Sequence, residues 1–158
     1  MSLSEALSFS LCRLGLPHVT LKEEQRIAIE AVHQGRDVFV CLPTGFGKSL
    51  CYQTLPFVAD YFKRKANGAV LVVSPHCFDR RPSWRFEEAW GASIHCHFIH
   101  LCGKKNMCTD QSLATDRLFY CAPEALVTSR WRCAFDKPGF SNRIMAVVVD
   151  EAHCVSKW

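Results

Sequence analysis

"LPTGFGKSLCYQ", residues 42–53, sets two glycines, a lysine and a serine within a few positions of one another, at the end of the apolar run "DVFVCL" at 37–42. A glycine-rich turn between a strand's carboxyl end and a helix's amino end aims several backbone N–H groups at one point, which suits a phosphate. In such a cradle, with Thr44 beside them, Gly45 and Gly47 remove side chains that would block the approach. Lys48 then reaches the β- and γ-phosphates of a nucleotide, and the Ser49 hydroxyl ligates Mg²⁺. The strict spacing places a further glycine five residues before Gly47, where this chain has Leu42. The plainer reading of the stretch is a glycine turn that opens a helix.

Outward from the loop, four short runs rich in β-branched residues predict strands buried on both faces: 37–42, "AVLVVS" at 69–74, "RLFYCA" at 117–122 and "IMAVVV" at 144–149. Helical stretches are expected between them at 48–65, 83–90 and 123–129, the last opened by Pro123. Upstream, residues 2–14 read as an amphipathic helix closed by Gly15. A second helix begins at a capping box on Thr20 to Glu23 and ends at Gly35. Strand alternating with helix predicts an α/β fold built on a parallel sheet. No internal repeat or linker-like tract divides the chain.

The run at 144–149 leads into "DEAH". Two adjacent carboxylates at a strand end repel one another unless a cation joins them, so Asp150 is a candidate Mg²⁺ ligand and Glu151 a candidate base for an attacking water. His153 follows, placed to sense the γ-phosphate. Alone the four residues also read as a polar helix cap; with the glycine loop they converge on one Mg²⁺–nucleotide site.

The 158 residues suit one globular unit, and 49% apolar side chains supply a core. Nineteen basic against fifteen acidic residues give a net charge of +4, which permits an anionic partner without requiring one. Ten cysteines without a C-x-x-C pair favour reduced thiols over a disulfide framework. An early Glu5 and no basic amino-terminal region argue against a secretion signal, and no uncharged run is long enough to cross a membrane. An intracellular protein is expected, nuclear or cytoplasmic.

These residues resemble the first RecA-like domain of superfamily 2 helicases, and more narrowly the RecQ family of DNA helicases. "PTGFGKSLCYQ" is similar to that family's motif I with its tail, and "DEAHCVSKW" to its motif II and the start of the aromatic-rich loop. "LPHVTLKEEQRIAI" is similar to its adenine-reading motif 0. The resemblance implies a parallel-sheet P-loop NTPase fold, ATP and Mg²⁺ as cofactors, and nucleic acid, DNA first with RNA left open, as partner. It implies adenine reading by Gln25, with Lys22 where the family has arginine and His18 where it has a stacking aromatic. It divides the chain into amino-terminal helices with the adenine motif at 1–35 and a partial ATP-binding domain at 36–158. In that fold the strand after motif II lies between the phosphate-loop strand and the motif II strand. The chain ends before such a strand, so a fragment with two unpaired strand edges is expected.

The middle of the chain matches less well. "VVSPHCFDRRPSW" begins like motif Ia and then departs from it, while "YCAPEAL" at 120–126 resembles motif Ib, a helix start that can hold a DNA phosphate. Lys63 to Lys65 and Lys104 with Lys105 read as solvated helix ends sooner than as DNA contacts. His95, Cys96, His97, His100, Cys102 and Cys108 match no zinc spacing, and alternation through Ile94, Cys96 and Phe98 predicts a half-buried strand instead. The function expected is an ATP-binding segment of a 3′-to-5′ DNA helicase. Two rivals stand beside it: a small P-loop phosphotransferase, and a catalytically silent module that binds or competes.

Overall fold

The computed structural model describes residues 2–63, 67–74 and 116–152, with 96–98 as backbone alone. Its strands are β1 (Ala69–Val73), β2 (Cys96–Phe98), β3 (Leu118–Cys121) and β4 (Ile144–Val149), side by side in the order β2-β3-β1-β4. All three pairings are parallel. The carboxyl ends therefore share one edge of the sheet, which is where an open parallel sheet binds its ligands. This is the expected α/β architecture, and β2 falls on the alternating stretch read as a strand.

Seven helices accompany the strands among the described residues: α1 (Leu3–Arg13), α2 (Glu23–His33), α3 (Lys48–Gln53), α4 (Leu55–Tyr61), α5 (Pro123–Leu126), α6 (Ser129–Phe135) and α7 (Pro138–Ser141). The two-residue period of the strands divides the core between two faces. Val70, Val72, Leu118 and Tyr120 pack with Leu7, Leu14 and Ile29 of the amino-terminal segment and with Leu55 and Val58 of α4. On the other face Leu71, Val73 and Phe119 meet Trp131 of α6 and Phe140 of α7. The two amino-terminal helices thus share a core with the sheet. Each such fully buried large side chain contributes about 1.5–3 kcal/mol.

Several boundaries differ from expectation for local reasons. The run at 37–42 forms no strand: it has no ladder partner, Val40 leans on the first core cluster, and Phe39 is 82% exposed. β-Propensity describes fit to a neighbouring strand, and none of the described strands pairs with this run. β4 is likewise an edge, pairing with β1 alone among the described strands, with Val147 61% exposed. The helix expected at 48–65 is two helices. Pro56 has no N–H to continue the ladder, and Thr54 turns its hydroxyl onto the carbonyl of Leu50 at 2.9 Å. α2 starts later than Thr20: its cap is Lys22, whose N–H is satisfied by Gln25 Oε1 at 2.8 Å. α5 closes at Leu126, and the helices after it were not foreseen. The helix expected at 83–90, most of the motif Ia stretch and the Lys104–Lys105 pair lie outside the described residues.

At the opposite, amino-terminal edge of the sheet two arginines fasten the strand starts. Arg117 pairs with Asp60 and donates to Gly68 O, while Arg143 donates to Asn67 O at 2.7 Å and Asp116 O at 2.6 Å. Burial, with the neighbouring Arg117 charge, lowers the pKa of Arg143. No helix among the described residues is long and apolar enough to cross a membrane.

Candidate nucleotide site

The loop forms because its glycines accept backbone angles that other residues resist. Pro43 to Phe46 is a tight turn closed by Phe46 N–H on Pro43 O at 3.2 Å, and its third residue, Gly45, has φ 80. Gly47, the cap of α3, has φ 84. A Cβ on Gly45 would meet nothing within 4 Å, whereas one on Gly47 would come within 2.8 Å of Gln25 Nε2. The second glycine therefore makes room for Gln25.

Gln25 sits in the first turn of α2, 3% exposed, and its amide is engaged on three sides. Nε2 donates to Phe46 O and to Gly47 O, each at 3.0 Å, and Oε1 accepts from Lys22 N–H. Because a peptide unit is planar and trans, drawing these two carbonyls toward α2 aims the N–H groups of Gly47 and Lys48 the opposite way. Among the described residues the N–H groups of Gly45, Gly47, Lys48 and Ser49 have no acceptor. An anion in front of them would satisfy donors that the protein leaves unpaired.

Both donors of the Gln25 amide are committed to the loop, and one acceptor position remains. Adenine reading by two hydrogen bonds requires this side chain to release one loop carbonyl. Lys22 is exposed, and its ammonium lies 3.6 Å from the centre of the Phe46 ring, a cation–π contact between the start of α2 and the loop. His18 is exposed on the connection between α1 and α2.

Lys48 and Ser49 open α3, both half-buried. Lys48 Nζ donates to Leu42 O at 2.9 Å and Pro43 O at 3.2 Å, so the ammonium is held by the loop's own carbonyls. Leu42 thus serves through its backbone at the position where strict spacing has glycine. Thr44 is exposed on the turn. Behind the loop, Tyr52 of α3 meets Tyr120 edge to face, ring centres 6.4 Å apart, which holds α3 over the carboxyl half of β3. Cys51 is buried beside them, and burial pushes its thiol up to about 11, away from thiolate chemistry.

Asp150 continues the β4 ladder by donating its N–H to Val73 O at 2.8 Å, and its Oδ1 accepts from Glu151 N–H at 3.0 Å. Glu151 adopts φ 55, a left-handed conformation that costs a non-glycine residue about 1–2 kcal/mol. Strain of this kind concentrates at functional sites. His153 lies outside the described residues. No group of three or more His, Cys, Asp or Glu among them makes a protein-only metal cage. Ser49 and Asp150, the ligands expected from the sequence, offer oxygen donors that would suit a Mg²⁺ which keeps waters and takes phosphate oxygens, the usual habit of that ion.

Sequence reasoning did not single out Phe46 or the carbonyls of Leu42 and Pro43. A large aromatic between two loop glycines was the available signal for the first; the carbonyls carry no sequence signal. The metal reading of 95–108 falls outside the described residues apart from the backbone of β2.

The sequence model of the DEAD/DEAH box helicases matches residues 22–158. The chain is 34% identical to the ATP-dependent helicase SGS1 of Saccharomyces cerevisiae over 146 residues, 87% of this chain and 10% of that protein. It is 35% identical to the ATP-dependent DNA helicase Q5 of Rattus norvegicus over 140 residues, 85% of this chain and 14% of that one. The probable ATP-dependent DNA helicase RecS of Bacillus subtilis is 28% identical over 145 residues, 88% of this chain and 26% of its own length. The chain thus spans about a tenth to a quarter of the length of these relatives.

Proposed function

Because the chain belongs to the DEAD/DEAH box helicase family, we propose that it is the ATP-binding segment of a RecQ-like DNA helicase, in which ATP hydrolysis drives 3′-to-5′ duplex unwinding. The observation that supports the nucleotide site is the set of N–H groups at Gly45, Gly47, Lys48 and Ser49, without an acceptor among the described residues and flanked by a lysine. ATP supplies the polyphosphate and Mg²⁺ the counter-charge. Lys48 exchanges its two carbonyl acceptors for phosphate oxygens, and Ser49 and Asp150 hold the metal. Glu151, two residues beyond the end of β4, orients the hydrolytic water and takes its proton. His153 belongs to the same acidic motif and is assigned to sensing the γ-phosphate, while His18 and Gln25 are assigned to the base. The partner on this reading is nucleic acid, DNA on the strength of the relatives' names, and in a eukaryote the compartment that goes with it is the nucleus.

The test is titration of the purified chain with a fluorescent ATP analogue and Mg²⁺, beside the Lys48→Ala variant. Saturable binding that the variant loses supports the assignment. Equal affinity of the two proteins would remove Lys48 and the loop from the site. Anisotropy of a labelled single-stranded DNA, with and without nucleotide, tests the partner.

A further inference from the structure

Lys22 stands where the family's base-reading motif has arginine, yet its ammonium rests on the Phe46 ring rather than projecting clear of the protein. Phe46 is the one large side chain between Gly45 and Gly47, two residues at φ 80 and φ 84 whose backbone freedom would otherwise let this part of the loop wander. Its carbonyl and that of Gly47 are held by Gln25 from below, and Lys22 orients Gln25 through its own N–H. One residue thus touches the loop twice, by backbone through Gln25 and by side chain through Phe46.

We propose that Lys22 and Phe46 form a latch that pre-orders the phosphate loop, so that Lys22 acts as a positioning residue for polyphosphate and not as a contact to the base. This rests on the phosphate-site reading above. Ordering the loop before the ligand arrives removes an entropic cost from binding, and it does so for any polyphosphate irrespective of base. A cation over an aromatic face at a solvent-exposed site is expected to change affinity about two- to fivefold.

Calorimetric titration of the full 158-residue chain with inorganic tripolyphosphate, Mg²⁺–ATP and Mg²⁺–GTP separates the possibilities. Lys22→Met keeps the aliphatic stem without the charge, and Phe46→Leu keeps apolar bulk without the ring. Each is expected to weaken all three ligands by the same about two- to fivefold. The double variant should be no weaker than either single one, and Lys22→Arg and Phe46→Trp should restore binding. Loss confined to ATP and GTP with tripolyphosphate unchanged means that Lys22 touches the base, and overturns the latch. Loss in Lys22→Met with Phe46→Leu unchanged means direct attraction between the ammonium and phosphate, and overturns it equally. Tripolyphosphate binding that falls in Lys48→Ala but in neither latch variant rejects the latch alone. Binding indifferent to Lys48→Ala rejects the phosphate site and the latch with it.

Discussion

The amide nitrogen of Gln25 lies 3.0 Å from the carbonyl oxygen of Gly47, and a Cβ on that glycine would stand 2.8 Å from the same nitrogen. The first turn of α2 and the glycine loop therefore meet at a position that only glycine can occupy without displacing a buried side chain. Gly45, with a similar φ and open space around it, is the natural control.

Gly45→Ala should cost about 1–2 kcal/mol, the expense of a left-handed alanine. Gly47→Ala should cost more, because it carries that term and also breaks the Gln25 contacts, each worth about 0.5–1.5 kcal/mol. Urea unfolding midpoints of the two variants measure the difference, and equal midpoints would remove Gln25 from the loop's support.

Gln25→Ala should weaken ATP and GTP together, because it frees two loop carbonyls, and should also narrow the preference for ATP, because a base contact is lost. Competition titrations separate the two effects. If ATP and GTP compete equally for the unmodified protein, the base-reading role falls and the loop contacts stand.

Glu151 carries two properties that variants can divide. Glu151→Gln keeps shape and removes the base, so ATP should bind as before while turnover drops by roughly two to four orders of magnitude. Glu151→Gly relieves φ 55 and should stabilise the fold by about 1 kcal/mol while abolishing turnover. Binding lost in step with turnover in Glu151→Gln would make Glu151 structural, and a destabilised Glu151→Gly would mean its side chain outweighs the strain.

Stability should also depend on pH through Glu5, which accepts from Ser2 N–H at 2.9 Å and from the Tyr61 hydroxyl at 3.0 Å. Hydrogen bonds from the Ser2 backbone and then from Tyr61 lower its pKa below the ordinary 4.5. A lowered folded-state pKa gives stability that is present above the unfolded value and lost as pH falls through the folded one. Tyr61 is raised above 10.0, first by its hydrogen bond to Glu5, so its share is present below that value and lost as pH rises past the folded one. Thermal melts should show Glu5→Gln flattening the acid limb and Tyr61→Phe the alkaline limb. Unaltered limbs would mean that the Glu5–Tyr61 contact does not persist in solution.

Much of the architecture was legible because it rests on local rules. β4 follows the apolar run at 144–149 without a residue's difference, α1 takes its cap from Ser2, and α2 stops before a glycine with φ 81. The helix after the loop was misread in its continuity, since Pro56 lies one turn beyond an otherwise regular apolar pattern. At 37–42 the composition is that of a strand and the conformation is not, because pairing depends on a neighbour supplied from elsewhere in the chain.

The sequence by itself determined the loop, the acidic pair at a strand end and the parallel α/β frame, since glycine spacing, side-chain chemistry and two-residue alternation are properties of adjacent residues. Only the tertiary structure decided how these parts bear on one another. It brought Gln25 under two carbonyls 21 and 22 residues away, set Lys22 on the Phe46 ring, and turned Glu151 into a left-handed conformation. Such relationships depend on how α2 packs against α3 and α4 and on which backbone groups that packing leaves facing inward. Neither is encoded in the spacing of a motif, because a hydrogen bond to a carbonyl is indifferent to the side chain that the carbonyl's residue carries.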